Sequence, residues 1–277
     1  MRFSNAFRNP NSLRSHEPLT NDQIRTVAPS IFADEAHESR SSRYVYIPTI
    51  NVLDKLREEG FQPFMVCQTR VRDQNKKDHT KHMIRLRHAS RIMAKEANEI
   101  ILLNSHDGTS SYQMIPGVFR FVCSNGLVVG ESMGDQKVRH SGSHDVVDDV
   151  IEGAYEVLRQ FERVDGQRDA MKSQILRPYE QMALAEAALS YRYDDTKAPA
   201  PITASQLLLP HRIEDRSDDL WTTFNRVQEN VIKGGLRGKN KANRRTTTRA
   251  VNGIDQDVKL NRALWVLAEA LRNQQVA

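Results

Sequence analysis

The sequence predicts an α+β protein, with an antiparallel sheet from the N-terminal half and helices following in the C-terminal half. Two patterns predict this class. Between Tyr44 and Arg139, apolar residues lie in short alternating or β-branched runs, which are typical of strands. From Ser143 onward they recur every three or four residues, which is typical of helices. Because the strands precede the helices instead of alternating with them, a parallel β–α–β fold is not expected.

Length and composition limit the kinds of protein this chain can be. It has 277 residues, 39% of them hydrophobic, enough for one large domain or two small ones. No run approaches the roughly 18 apolar residues of a membrane helix, and the N-terminus lacks the apolar segment of a signal peptide. The only cysteines, Cys67 and Cys123, exclude a multi-cysteine zinc site. We expect a cytoplasmic protein with reduced thiols, no membrane partner, no metal and no cofactor.

The first two regions of the chain are predicted to be an arm and a sheet. Residues 1–43 are polar and contain three prolines, which indicates an N-terminal arm. Residues 44–142 form the sheet region, with one helix over Pro48–Glu59 that stops at Gly60. The strands are predicted at 61–72, 82–88, 99–104, 111–123 and 127–129, with turns at Asp107–Gly108 and Asn125–Gly126.

The third region, residues 143–277, is predicted to be helical. Thr203 and Gln206 have the spacing of a capping box ahead of a short helix. The other helices are predicted over 147–161, 178–191, 220–231 and 260–271. The change of pattern near residue 142 marks a domain boundary, or else residues 44–277 form one compact domain.

Positive charge is concentrated between the last two predicted helices. Residues 233–249 carry seven basic side chains and no acidic one, although the net charge of the whole chain is only +5. Three glycines and three threonines accompany them, and both residue types suit contacts with phosphate oxygens. We interpret the segment as a flexible phosphate-binding loop; a merely solvated connection is the alternative. The basic residues are Lys233, Arg237, Lys239, Lys241, Arg244, Arg245 and Arg249.

A second basic block covers residues 70–95, with nine basic and two acidic side chains. Because side chains alternate along a strand, Arg70 and Arg72 share one face of their predicted strand, and Arg85 and Arg87 share one face of the next. A hairpin of the two strands would bring all four arginines to one sheet face, where they could hold a nucleic-acid backbone. The alternative is the ordinary solvated face of an antiparallel sheet.

A hydrolytic metal centre is a weaker possibility. His106–Asp107 and His144–Asp145 are two His–Asp pairs, and both residue types are ligands of zinc or manganese. Local explanations compete with this one, because Asp–Gly is a turn sequence and Asp145 lies at a helix N-terminus, where acids complement the dipole. We therefore assign no catalytic residue, and these four stay candidates for a metal-dependent nuclease.

Three segments together resemble a known family: Asn104–Gly130, Leu220–Gly238 and Ala250–Glu269. The chain resembles the domain-of-unknown-function family numbered nine hundred and thirty-two, over nearly all of its length after about residue 18. The resemblance implies a protein of bacterial plasmids, phages and prophages. It carries over no catalytic residues.

We therefore expect a nucleic-acid-binding accessory protein of a mobile element, with single-stranded DNA favoured, acting in DNA transfer, replication or recombination. Only 6% of residues are aromatic, so contacts with the phosphate backbone should dominate and affinity should fall steeply with salt. An anti-defence protein that binds a host enzyme and a metal-dependent nuclease are the alternatives. The sequence does not decide which nucleic acid is bound, whether a host protein is a partner, or whether the protein forms a homo-oligomer.

Overall fold

The computed structural model describes residues 12–40, 44, 46–88, 96–121, 125–129, 136–138, 146–193, 196 and 198–274. The chain divides into two compact units. Unit 1 comprises Met1–Gly126 and Met133–Phe161, and unit 2 comprises Leu127–Ser132 and Glu162–Ala277. One division between the units falls inside the helix Val146–Ser173.

The α+β prediction is confirmed: a seven-stranded sheet precedes the main helices. The strands follow one another in the order β1 to β6, and β7 pairs with β5. The pairs from β1–β2 to β4–β5, and the pair β5–β7, are antiparallel. The strands are β1 (Ser12–Arg14), β2 (Phe61–Gln68), β3 (His82–His88), β4 (Glu96–Asn104), β5 (Tyr112–Arg120), β6 (Asn125–Val128) and β7 (Gln136–Val138).

Within the predicted N-terminal arm, residues 12–40 contribute a strand and helices to unit 1. Strand β1 pairs with β2, with Leu13 opposite Val66. Helix α1 (Asn21–Val27) begins with a capping box at Thr20. Ile24 is fully buried in the same core as the sheet. A few anchoring residues are enough to fix this segment, and its polar composition concealed them.

One face of the sheet packs against helices. Helix α2 (Thr49–Glu58), as predicted, and the first part of α3 (Val146–Ser173) cover this face. Ile84 and Leu86, which alternate on β3 with residues of the opposite sheet face, are buried in this core. Gly153 permits close packing of α3, because a Cβ atom there would lie 2.2 Å from the side chain of Met114.

The other face of the sheet contains a buried ion triad formed by Arg85, Arg87 and Glu99. The guanidinium groups of Arg85 and Arg87 lie 3.2 and 2.9 Å from the carboxylate of Glu99. All three residues are at most 1% exposed. The Arg87 guanidinium also lies 4.3 Å from the ring centroid of Phe64 and 4.2 Å from that of Phe119, which are cation–π distances. Burial lowers the pKa of Arg87, and Glu99 opposes this shift.

Strand β2 and the predicted turn at Asn125–Gly126 differ from the prediction. Strand β2 ends at Gln68 instead of residue 72, and a 3-10 helix at Gln74–His79 connects it to β3. Asn125–Gly126 begins strand β6 and is not a turn. Gly126 is needed there because a Cβ atom would lie 2.6 Å from the Arg85 guanidinium. The predicted turn at Asp107–Gly108 is present between β4 and β5.

Unit 2 is built on helices, which match the apolar stripes of the sequence. Its short helix α5 begins with the predicted capping box at Thr203. The remaining elements are α4 (Pro178–Arg192), α5 (Ala204–Leu207), α6 (Leu220–Lys233), α7 (Ile254–Gln274) and the strands β8 (Arg237–Lys239) and β9 (Arg245–Thr247). Among the described residues, no helix is both long and apolar enough to cross a membrane.

Helix α6 is the centre of unit 2. Every residue from Leu220 to Ile232 is buried. Trp221 packs against Trp265 of α7, with ring centroids 6.5 Å apart. The polar residues of α6 are paired inside the unit; Gln228, for example, donates a hydrogen bond to Asn261 at 2.7 Å. Because α6 is buried on all sides, it fixes the start of the segment that follows it, residues 234–249.

The buried triad generates a stability prediction. Replacing Glu99 by alanine leaves two buried guanidinium groups without their carboxylate, so we expect the free energy of unfolding to fall by about 3–5 kcal/mol. Urea denaturation followed by circular dichroism measures the change. Glu58→Ala is the control, because its ion pair with Lys55 has both side chains more than half exposed and should change stability by at most about 1 kcal/mol. Equal losses for the two variants would contradict the prediction.

Candidate nucleic-acid interface

The basic segment of the sequence forms a hairpin in unit 2. We call residues 233–249 the basic hairpin. Strands β8 and β9 pair in antiparallel fashion, with Arg237 opposite Thr247 and Lys239 opposite Arg245. The prediction of a flexible loop is therefore wrong, because backbone pairing gives the segment a fixed conformation.

Asparagine side chains form the turn of the basic hairpin. The side-chain oxygen of Asn240 accepts hydrogen bonds from the backbone N–H groups of Ala242 and Arg244, both at 3.0 Å. Asn243 has φ 55°, in the left-handed region that asparagine tolerates better than most residues. The two asparagines therefore set the geometry of the turn. Lys241, Arg244 and Arg245 are exposed to solvent.

Strand β8 of the basic hairpin is held through its backbone by contacts with residues 201–206. The Lys239 N–H donates to the Pro201 carbonyl at 2.8 Å. The Gln206 side-chain amide donates to the Arg237 carbonyl, also at 2.8 Å. Gly238 lies against Pro201 so closely that a Cβ atom would be 1.8 Å from the Pro201 carbonyl oxygen. These contacts attach the hairpin to the helical unit through the backbone and leave its cationic side chains free of that role.

Six of the seven basic side chains are exposed: Arg237, Lys239, Lys241, Arg244, Arg245 and Arg249. Within the part of the chain that the structure describes, none of these six has an ion-pair partner. Lys239 and Arg245 are directly opposite each other on the two strands, an arrangement that disfavours pairing when the charges have the same sign. Lys233 differs, because it is half-buried and lies 2.9 Å from the carboxylate of Glu229.

The second predicted basic surface is divided between two environments in unit 1. Arg70 and Arg72 are exposed, but they follow the end of β2 and belong to the connection to β3. Arg85 and Arg87 share one face of β3, as predicted, and this face is buried. The prediction of an exposed four-arginine cradle is wrong, because Arg85 and Arg87 lie against Glu99 inside the unit.

The first His–Asp pair serves local structure. His106 is fully buried, and its Nε2 atom lies 3.1 Å from the Thr49 hydroxyl, which links the sheet to α2. Asp107 accepts hydrogen bonds from the backbone and hydroxyl of Thr109 at 3.0 and 2.6 Å. Burial alone would raise the pKa of Asp107, but these hydrogen bonds lower it below its ordinary value. Adjacent residues thus point to different environments.

The second pair, His144 and Asp145, lies outside the described residues. Within the described ranges, no group of three or more histidine, cysteine, aspartate or glutamate side chains is arranged to hold a metal ion. The residues that sequence reasoning missed are Pro201 and Gln206. Gln206 meets the hairpin across 31 positions of sequence, so no local pattern could reveal it.

The fold and the site define a class: an α+β protein whose helical unit carries an exposed basic hairpin fixed through its backbone. The family model described as "Domain of unknown function (DUF932)" matches residues 36–265. The chain therefore belongs to the DUF932 family, as the three sequence segments indicated.

Two relatives from Escherichia coli strain K12 are similar over almost the whole chain. UPF0380 protein YfjQ and UPF0380 protein YafZ are each 59% identical to it over 273 residues. The alignments cover 99% of this chain and 98% of each relative. No solved structure matches the chain significantly.

The close contact at Gly238 generates a second prediction. In Gly238→Ala, the new methyl group meets a backbone carbonyl that no side-chain rotation can move, so we expect a loss of about 1–3 kcal/mol in the free energy of unfolding. Gly166→Ala is the matched control: this exposed position inside α3 has open space around a Cβ atom, and alanine should stabilise it by about 0.5–1 kcal/mol. Urea denaturation compares the two. Stabilisation by both substitutions would show that the contact with Pro201 does not constrain residue 238.

Proposed function

We propose that this protein binds nucleic acid, with single-stranded DNA favoured, through phosphate contacts made by the basic hairpin. The observation that carries the proposal is the set of six exposed cations without ion-pair partners among the described residues. Cationic side chains on a protein surface usually have acidic neighbours that compensate their charge. Here the compensation is absent from segment 233–249 itself, which contains no acidic residue. A polyanion supplies the missing negative charge.

The geometry of the hairpin supports contacts with a chain of phosphates. Arg237 and Lys239 are two positions apart on β8, so their side chains leave the same face roughly 7 Å apart. Arg245 lies opposite Lys239 on that face, and Arg244 begins the return from the turn. A row of cations on a short rigid ribbon can neutralise successive phosphates with little loss of backbone entropy, because the backbone is already ordered.

The setting we propose is the bacterial cytoplasm, in DNA transfer, replication or recombination of a plasmid or prophage. This setting rests on the resemblance to a family of mobile-element proteins. Contacts with phosphates alone carry no sequence information, so we expect the protein to bind single strands with little preference for sequence.

The third prediction tests the hairpin directly. The double variant Arg244→Ala/Arg245→Ala removes two phosphate contacts, so binding to a fluorescein-labelled oligonucleotide should weaken by roughly tenfold or more at low salt. The plot of log affinity against log salt should become less steep by about 1.4, because each contact with a single strand contributes about 0.7 to the slope. Fluorescence anisotropy at several salt concentrations measures both quantities.

The matched control for this variant is Arg159→Ala/Arg163→Ala. It removes the same two charges from exposed positions on α3, so it separates local contacts from the effect of net charge. We expect it to leave the salt slope unchanged. An equal loss in both double variants would show that the hairpin has no special part in binding.

A fourth prediction concerns the exposed connection between β2 and β3. Arg70 and Arg72 are followed by two exposed acids, Asp73 and Asp78, which reduce the local positive charge. We expect Arg70→Ala/Arg72→Ala to weaken binding less than the hairpin double variant in the same anisotropy titration. A larger effect at the connection would make this segment, and not the hairpin, the main phosphate-binding surface.

A further inference from the structure

The end of helix α4 lies beside the basic hairpin. Arg192, the last residue of α4, extends its guanidinium to within 3.5 Å of the backbone carbonyl of Arg249. Nine residues later, the Pro201 carbonyl accepts the backbone N–H of Lys239. Arg192 therefore contacts the chain just after β9, and Pro201 contacts strand β8. Arg192 thus places the C-terminal end of α4 next to the backbone of Arg249 in the basic hairpin.

This end of α4 has two tyrosines with accessible rings. Tyr191 is 46% exposed. Tyr193 caps the helix in an extended conformation and is partly exposed. The guanidinium carbon of Arg192 lies 5.4 Å from the centroid of the Tyr193 ring, so a cation and an aromatic ring are already stacked here. The two residues that follow, Asp194 and Asp195, lie outside the described residues.

We infer that Tyr191 and Tyr193 form a stacking platform for the bases of a single strand whose phosphates are held by the basic hairpin. The inference rests on the proposed function and specifies how the polymer is recognised. Proteins that bind single strands combine a cationic track with aromatic side chains on which bases stack. In a duplex the faces of the bases are occupied by their neighbours, so a platform of this kind selects unpaired strands.

Exposure alone does not distinguish these tyrosines, because Tyr179 on the same helix is 62% exposed. What distinguishes them is their position on either side of Arg192, whose guanidinium reaches the backbone of Arg249 in the basic hairpin. Tyr179 is twelve residues from Tyr191, roughly 18 Å along the helix axis. Its hydroxyl instead accepts a hydrogen bond from Arg177 at 3.1 Å, at the start of α4. Tyr179 is thus a matched control: the same residue type, on the same helix, at the end away from the hairpin.

Two probes separate bases from phosphates: a thymidine 20-mer and an abasic oligomer of the same length. We expect the unmodified protein to bind the thymidine oligomer more tightly than the abasic oligomer. It should also bind the thymidine oligomer more tightly than a 20-base-pair duplex, as measured by fluorescence anisotropy. Tyr191→Ala/Tyr193→Ala should weaken binding of the thymidine oligomer by roughly tenfold or more, since each stacked base contributes about 1–3 kcal/mol. Its affinity for the abasic oligomer and its salt slope should not change. Tyr191→Phe/Tyr193→Phe and Tyr179→Ala should bind as the unmodified protein does.

A second measurement does not depend on any substitution. An oligonucleotide with 5-bromodeoxyuridine, irradiated in complex with the unmodified full chain, should crosslink to the peptide that contains Tyr191 and Tyr193. Crosslinks confined to other peptides would overturn the inference.

The outcomes separate the inference from the function on which it rests. Equal affinities for the thymidine and abasic oligomers, both reduced by Arg244→Ala/Arg245→Ala, would overturn the platform and leave phosphate binding by the hairpin intact. Absence of binding to either oligomer at low salt would overturn both.

Discussion

The hydrogen bond from the Lys239 backbone to the Pro201 carbonyl decides what the basic segment is. The pairing of β8 with β9 makes residues 233–249 a hairpin, and this bond attaches the hairpin to the helical unit. With it, and with Gly238 pressed against the same carbonyl, the segment is a ribbon anchored to a helical unit. The hairpin contributes only backbone atoms to this anchor, so nearly all the positive charge of the segment remains available at the surface. The requirement for glycine at one position is the cost of this arrangement.

Arginines of this chain have opposite roles that depend on burial. Arg85 and Arg87 lie inside unit 1, where the Glu99 carboxylate and phenylalanine rings compensate their charge. Arg244 and Arg245 lie in water, where no acid of the described chain compensates theirs. Buried guanidinium groups without their carboxylate are very unfavourable, so the first pair is committed to structure. Exposed guanidinium groups need no buried partner, so Arg244 and Arg245 are available to contact a ligand.

The fold class was predictable because the spacing of apolar residues along the chain depends on the local secondary structure. Strand β3 has the predicted bounds, and the stripes of α6 and α7 matched helices, since a buried face must repeat with the geometry of its element. Local patterns failed where distant residues decide. Arg85 alternates like a solvated strand residue, and only Glu99 on the neighbouring strand makes it a core residue. Likewise, the seven cations were visible in the sequence, whereas the hairpin depends on Pro201 and Gln206, which no spacing rule connects to it.

The like-charged pair of Lys239 and Arg245 gives salt two opposing effects on this protein. Dissolved ions screen the repulsion across the hairpin and so favour the ordered ribbon in the free protein. In the complex proposed above, the same ions would compete with the cations for phosphates and so oppose binding. A bound polyanion relieves the repulsion itself, which couples occupancy of the site to the stability of the hairpin. In the proposed complex, a bound polyanion and dissolved salt would therefore stabilise the same hairpin by the same means, the reduction of repulsion between like charges.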